Sequence, residues 1–364
     1  MIIERNSHES LAMDLLRFPL ACLIVLLHTG VSCGPENIVY YICNYIAPPI
    51  VTVAVPAFYV LSGYLFFMGR EEFGWNIYVE KLHKKVKSLL VPYLIWNVIA
   101  YILNVGYSYA KTHTIGDVMP WELYRILWAN GDGITKMSFF GYQYTVIASP
   151  AAGVLWFMRD LMMMMICSII LYPIIKNLKY WIFPILYIIN ILRIGVPFPG
   201  FSLAAITFFS IGAFFSIHGI NIFKFLKGQI CYLLWPLLII IQTVLTEIGY
   251  HPEISWIGVL SLSSGVAFMF AVAYKSAESF GKFKQVLCKW GETSFFIYAF
   301  HGLIIVWLIN KDVGYMLEDI PTFGPLLNYL YLFFIRIIEC LIVFYVMKRY
   351  VPHLLNTLVG GRLK

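Results

Sequence analysis

LAMDLLRFPLACLIVLLHTGVSC, residues 11–33, is an apolar segment that carries Asp14, Arg17 and His28 inside it. Its length suits a membrane-crossing helix, since about 20 apolar residues span the hydrocarbon core. Charge inside such a helix is costly, so ionisable residues at membrane depth are functional candidates by default. Arg17 and His28 are 11 residues apart. At about 100° per residue that spacing returns them to within roughly 20° of one face, about 16 Å apart along the axis. One side of a single helix therefore presents a guanidinium towards one end and an imidazole towards the other.

The rest of the chain has the same character. Hydrophobic residues make up 60% and charged residues 12% of its 364 positions, against about 25% charged in a soluble domain. Mean hydropathy is +0.79. These values describe an integral membrane protein. The net charge of +7 does not point to nucleic acid, because the basic residues sort by membrane side instead of gathering on one soluble face. The first segment is expected to stay as a helix: Asp14 and Arg17 interrupt it, and no small-x-small cleavage site follows. The seven cysteines, at 22, 33, 43, 167, 231, 288 and 340, form no close-spaced metal pair. Most of them read as small hydrophobes in apolar spans, and only Cys33 and Cys43 are placed to meet on an oxidising face.

Apolar runs predict an all-α, polytopic membrane helix bundle of about ten transmembrane helices, near 11–33, 49–68, 89–109, 152–174, 180–194, 203–217, 230–247, 254–274, 292–310 and 326–347. Segment 37–48 reads as an interfacial or broken start to the second span, because Pro48, Pro49 and Pro56 disturb its helix.

Charge gives the orientation. With the amino terminus inside, the cytoplasmic segments hold Arg5; Arg70, Lys81, Lys84, Lys85 and Lys87; Lys176 and Lys179; Lys224 and Lys227; Lys275, Lys282, Lys284 and Lys289; and Lys348, Arg349, Arg362 and Lys364, which is 18 of the 26 Lys and Arg. The outer segments hold only Lys111, Arg125, Lys136 and Lys311. That bias predicts both termini in the cytoplasm. The longest connection, 110–151, then lies outside and is rich in aromatics and glycine: Trp121, Tyr124, Trp128, Gly131, Gly133, Gly141, Tyr142 and Tyr144. It reads either as an interfacial flap or as part of an acceptor site. No internal repeat, low-complexity tract or linker is visible, so residues 1–364 read as one membrane domain.

Several side chains fit chemistry at membrane depth. An imidazole such as His28 serves as general base on a hydroxyl or accepts a group as a nucleophile. Arg17 binds an anionic cofactor group, pairs with Asp14 three residues before it, or does both at once. LWFMRDL puts Trp156 and Arg159 about 6 to 10 Å below the outer surface, in the layer expected for His28. The run KLHKKVKSLLVPY carries Lys81, Lys84, Lys85 and Lys87, which read as positive-inside anchors and also as a phosphate-binding rim. His301 in SFFIYAFHGLI is expected near the midplane, as a proton carrier, a cofactor contact or a bridge to a neighbouring helix. Ser62 and Gly63 allow close approach of a helix or a ligand. Arg336 and Glu339 share a helix face and most simply neutralise each other. A glycine-rich phosphate loop, an HExxH pattern, a cysteine pair at zinc spacing and a GxSxG elbow are all missing from the sequence, so metal and serine hydrolysis have no support there.

In combination these motifs resemble the third family of membrane acyltransferases. A basic residue, ten residues and a histidine in the first span are matched by Arg17 and His28 in DLLRFPLACLIVLLH. VPAFYVLSGYLF, the basic run ending LLVPYLIW, LWFMRDL, SFFIYAFH and the closing KRYVPHLLNTLVGGR follow in family order. The resemblance implies O-acylation of envelope glycans or related molecules from a cytoplasmic acyl-CoA donor, usually acetyl-CoA, in the inner or plasma membrane, with no metal. It implies a catalytic His28 with Arg17 as its motif partner and Asp14 balancing that charge. The donor would be held by Arg17, Lys81, Lys84, Lys85, Lys87, Ser62 and His301, and the acceptor by Trp156 and Arg159. Lysines stand where the family often has arginines, which weakens the case for bidentate phosphate contacts in that run. The alternative class is a transporter of a glycan or acyl compound along Arg17, His28, His301 and Glu339, which lacks the repeated halves such proteins often show. A membrane sensor with a degenerate site is disfavoured by the intact Arg17 and His28 pair.

Overall fold

The computed structural model describes residues 7–363 except 31–32, 70–72, 115–117, 130–134, 140–141, 147–148, 197, 229, 251–255, 279–280 and 321–322. Arg5, Arg70 and Lys364 of the charge pattern, and Gly131, Gly133 and Gly141 of the outer loop, lie outside the described residues, as do the side chains of Lys136, Tyr142 and Tyr144.

The described chain is helical apart from one hairpin. In order the helices are α1 (Ser7–Leu27), α2 (Ile38–Tyr41), α3 (Ala47–Val51), α4 (Ala54–Phe67), α5 (Trp75–Lys85), α6 (Val91–Thr112), α7 (Leu123–Leu127), α8 (Trp156–Ile166), α9 (Ser168–Leu178) and α10 (Ile182–Ile191). They continue as α11 (Leu203–Ile217), α12 (Ile222–Leu226), α13 (Ile230–Glu247), α14 (Trp256–Glu278), α15 (Lys282–Trp290), α16 (Ser294–Phe300), α17 (Ile304–Glu318), α18 (Gly324–Tyr350) and α19 (Pro352–Leu358). Between α7 and α8, in the predicted outer loop, β1 (Thr135–Phe139) pairs antiparallel with β2 (Tyr142–Val146).

α1 runs through the interior with one open stripe. Ala12, Met13, Leu16, Leu20 and Ile24 pack into the main core, while Phe18, Ala21 and Val25 join a second cluster with Ile297, Ile337 and Cys340. Leu11, Asp14 and Arg17, spaced three apart on one face, remain only partly covered. Lipid tails are as apolar as these side chains, so helices in a bilayer associate through close fit more than through water exclusion. The crossing of α4 with α11 shows that fit. A Cβ on Gly63 would lie 2.1 Å from the Phe209 carbonyl oxygen, and one on Gly212 would lie 2.0 Å from that of Val60. Each glycine lets the other helix's backbone touch.

Among the described residues six helical segments are long and apolar enough to cross a membrane, or seven if the bent pair Lys284–Phe300 and Ile304–Glu318 forms one span. Two predicted segments, 203–217 and 230–247, coincide with α11 and α13, which are apolar but shorter. Predicted spans four and five divide differently: α8 stops at Ile166, and Ser168–Ile191 forms one stretch of 24 residues. Lys176 does not end that stretch, because its ammonium lies over the Tyr172 ring at 5.4 Å and the stem stays along the helix. The proline-rich start of the second span departs from regular α-helix at a π-helical turn, Ile42–Ile46, and at a turn at Thr52 and Val53, yet Ile38–Phe67 continues as one helical stretch of 30 residues.

Two departures reposition the candidate site. α1 ends at Leu27, so His28 sits just beyond the helix and not five residues inside it. The Thr29 hydroxyl donates to the Val25 carbonyl at 2.9 Å, helping to close that last turn. The predicted ninth span is broken at His301–Leu303, where the stretch Lys284–Phe300, which ends in α16, meets α17 at 86°. Gly302 faces Val154 there, and a Cβ would lie 2.5 Å from its side chain. His301 therefore stands at a corner and not along a straight helix.

Candidate functional site

The open stripe of α1 looks into a cavity of about 280 Å³. Asp14 and Arg17 line it from α1, Ser62 from α4, Lys85 from the end of α5, and Arg362 from the tail beyond α19. Its apolar walls include Phe58, Leu61, Phe157 and Phe295. Arg17 Nη1 donates to Asp14 Oδ1 at 2.7 Å, so the local pair forms while the guanidinium still borders the cavity. The other carboxylate in the lining, Glu292, accepts from Lys348 at 2.8 Å. Lys85 and Arg362 have no carboxylate partner among the described residues. The cavity thus holds more cationic than anionic charge, which suits an anion.

Adjacent residues on α4 divide between packing and lining. Gly63 packs backbone to backbone on α11, and Ser62 faces the cavity. The basic run divides too. Only Lys85 lines the cavity; Lys81 donates to the Phe66 carbonyl, Lys84 pairs with Glu80 at 2.5 Å, and Lys87 is exposed. One turn of helix or less separates each of these lysines from Lys85, so spacing alone gave all four similar standing.

At the other end of α1 the His28 and His301 rings lie 5.4 Å apart, centroid to centroid, tilted by 39°. Composition and spacing gave no sign of this pair, which links the end of α1 to the corner between α16 and α17. His28 is exposed, and His301 is only 5% exposed. His301 Nδ1 is 2.9 Å from the Ile297 carbonyl oxygen, which only accepts, so Nδ1 carries the proton. Nε2 is buried and has no hydrogen-bond partner among the described residues. It is left as a lone pair next to the candidate catalytic ring. Arg336 of α18 donates from Nη1 to the His28 carbonyl at 2.7 Å. That oxygen follows the last turn of α1, where carbonyls lack helical partners and cations are favoured.

Arg336 and Glu339 form no ion pair with each other among the described residues; each bonds a different group. Glu339 accepts from Asn310 Nδ2 at 2.9 Å, and Asn310 Oδ1 accepts from Tyr331 at 3.0 Å. Tyr298, one turn before His301, lines the Arg17 cavity, so the cavity wall and the histidine corner share α16.

Arg159 has committed partners. Its side chain is 0% exposed and bonds Asp160 at 2.9 Å; it donates to the Trp128 carbonyl at 2.6 Å and lies over the Trp128 ring at 5.6 Å. Asp160 Oδ2 accepts from the Ser202 amide at 3.2 Å, and Trp128 Nε1 donates to the Pro199 carbonyl at 3.1 Å. The pair ties α7 and the start of α11 to α8. Trp156, at the first turn of α8, packs half-buried against the main core. Within the loop between α6 and α8 Trp121 and Tyr124 are exposed, while Trp128 is built into the wall. Glu122 accepts from the Met119 amide and from Arg125, and those bonds hold its carboxyl below the usual carboxylate range. Cys33 and Cys43 are not joined by a disulfide.

No curated protein and no solved structure matches the chain. The family described as acyltransferase domain matches residues 10–345, a stretch that holds Asp14, Arg17, His28, Lys85 and His301 and ends inside α18, before the closing KRYVPHLLNTLVGGR. With most of its length matched, its multiple apolar helices and the Arg17 and His28 spacing on α1, the chain belongs to this acyltransferase family.

Proposed function

We propose that the protein transfers an acyl group, most simply acetyl, from a cytoplasmic acyl-coenzyme A to a hydroxyl of an envelope carbohydrate or related acceptor. It would do so in the inner or plasma membrane, from a bundle of about ten crossings with both termini in the cytoplasm. The observation that carries this reading is the polarity of α1: one end opens on a cavity shared by Arg17, Lys85 and Arg362, and the other carries His28 beside His301. Phosphates of a nucleotide thioester suit the cationic end. A long, thin acyl-bearing arm would pass from there towards the histidines; Ser62 and Tyr298 line the cavity, and Tyr298 stands one turn before His301 on α16.

In this reading His28 takes the proton of the acceptor hydroxyl. The oxygen adds to the thioester carbonyl carbon, the carbon–sulfur bond breaks, and the thiolate leaves and is protonated from the imidazolium. Arg336 holds the backbone of His28, and the Nε2 lone pair of His301 helps to carry the proton. Arg159, enclosed and bonded to Asp160 and Trp128, serves as the strut of the acceptor side, and Trp156 is the nearer candidate for sugar contact. Lys81, Lys84 and Lys87 act at the membrane surface.

Detergent-purified protein given labelled acetyl-CoA and a panel of envelope glycans should transfer label without a sealed membrane. His28→Ala should lose transfer by about 10²–10⁴-fold while donor binding persists. Movement of glycan across sealed vesicles with no acyl transfer in detergent would overturn the reading in favour of transport.

A further inference from the structure

The last helix, α19, and the tail beyond it are folded back into the bundle. Leu355, Leu358 and Val359 are buried at 0–3% exposure, and Trp96 Nε1 of α6 donates to the Leu358 carbonyl at 3.1 Å. Gly360 and Gly361 then take left-handed backbone with φ +67° and +74°, which turns the chain sharply. A Cβ on Gly360 would lie 2.3 Å from the Ser88 carbonyl oxygen, so the turn is pressed against the segment between α5 and α6. The next residue is Arg362. Its guanidinium lies 4.5 Å from the centre of the Phe295 ring, donates from Nη1 to the Val359 carbonyl at 2.6 Å, and borders the same cavity as Arg17 and Lys85.

We infer that Arg362 is a third donor-binding cation, a guanidinium that grips a phosphate of the nucleotide thioester, and that the folded-back tail is thus part of the active site. This rests on the donor reading proposed above. Three separate elements bring one cation each to a single cavity of about 280 Å³. The two carboxylates in the lining are bonded to Arg17 and Lys348, which leaves Arg362 facing the space without a carboxylate among the described residues. A guanidinium held over an aromatic ring and bonded to a backbone carbonyl has few positions open to it, and its planar fork of N–H groups matches a phosphate bidentately. Burial first, and the Arg17 charge second, pull the Arg362 pKa down to about 10, as expected for a cation awaiting an anion. It also restores to the site the bidentate donor that the lysine run does not supply.

The test is equilibrium binding of coenzyme A, 3′-dephospho-coenzyme A, phosphopantetheine and inorganic phosphate to the full chain in detergent. The variants are Arg362→Gln, Arg362→Lys and, as an exposed same-charge control, Lys227→Gln. Arg362→Gln should weaken coenzyme A about 10- to 100-fold, Arg362→Lys by less, and Lys227→Gln not at all. The truncated ligand that lacks the contacted phosphate should bind wild type and Arg362→Gln alike. Coenzyme A affinity unchanged in Arg362→Gln with an unaltered thermal midpoint overturns this inference and leaves the donor reading standing. Wild-type protein that binds inorganic phosphate but no coenzyme A overturns both. If Arg362→Gln does not fold, Arg362→Lys decides: wild-type affinity for every ligand overturns the bidentate grip, and a loss confined to ligands with that phosphate supports it.

Discussion

The imidazoles of His28 and His301 lie 5.4 Å apart although 273 positions separate them in the chain, and they meet where α1 ends and where α16 breaks into α17. Because Nδ1 of His301 is committed to the Ile297 carbonyl, its basic nitrogen is Nε2, which is buried and unpartnered among the described residues. A neutral imidazole there can share a proton taken up by His28. His301→Ala should lower kcat at least about tenfold with donor KM little changed, because general acid–base contributions run to about 10²–10⁴ and the proposed mechanism leaves the primary role to His28. Steady-state kinetics at saturating donor check this, and a change confined to KM would assign His301 to binding instead.

Arg336 acts through the backbone of His28. Its Nη1 donates at 2.7 Å to the carbonyl that follows the last turn of α1. Removing that donor frees the end of the helix without touching the cationic cavity. Arg336→Met should therefore reduce kcat about tenfold or more and leave coenzyme A affinity near wild type, while Arg336→Lys, which keeps a donor at similar reach, should recover part of the rate. A wild-type rate in Arg336→Met would show that the bond to the His28 carbonyl does not set the rate, and equal losses in both variants would show a need for the guanidinium itself and not for its charge, which lysine keeps.

Much of this arrangement is legible in sequence, and the remainder depends on contacts distant along the chain. The Arg17 and His28 spacing, Ser62 beside Gly63, and the prolines before α4 are local signals read from periodicity and backbone chemistry. The partners of those residues are not local. Arg362 reaches the Arg17 cavity only because Gly360 and Gly361 reverse the tail, and the paired glycines after KRYVPHLLNTLV were the available sign of that turn. The corner at His301 arises where Gly302 meets Val154, a contact that an apolar run through 292–310 conceals. Depth alone sets Arg159 in the layer expected for His28, and depth along a helix does not say which way a guanidinium turns; it turns to Asp160 and Trp128.

Ser62 and Gly63 allow packing and chemistry to be separated at adjacent positions. Gly63→Ala puts a methyl where the Phe209 carbonyl oxygen is 2.1 Å away, so α4 and α11 must move apart. The expected loss is about 1–3 kcal/mol, read as a lower thermal midpoint in detergent. Ser62→Ala should keep the midpoint and change donor KM, because its side chain faces the cavity. The reverse pattern would sink the division of roles on α4.

The pair Arg159 and Asp160 offers the sharpest test of the wall that joins α7, α8 and the start of α11. Both side chains are enclosed, at 0% and 1% exposure, and each also binds a backbone group from another segment, Trp128 and Ser202. Removing one charge from a buried pair typically costs about 3–5 kcal/mol, because the survivor stays buried without its counter-ion. Removing both leaves no stranded charge. Arg159→Met alone should thus depress the thermal midpoint more than the double variant Arg159→Met with Asp160→Leu, although the double variant replaces more of the native side chains. Donor binding should survive in the double variant, since the Arg17 cavity does not include these residues. Should the double variant instead prove the less stable of the two, the hydrogen bonds to Trp128 and Ser202 would outweigh the ion pair as the link between α7, α8 and the start of α11.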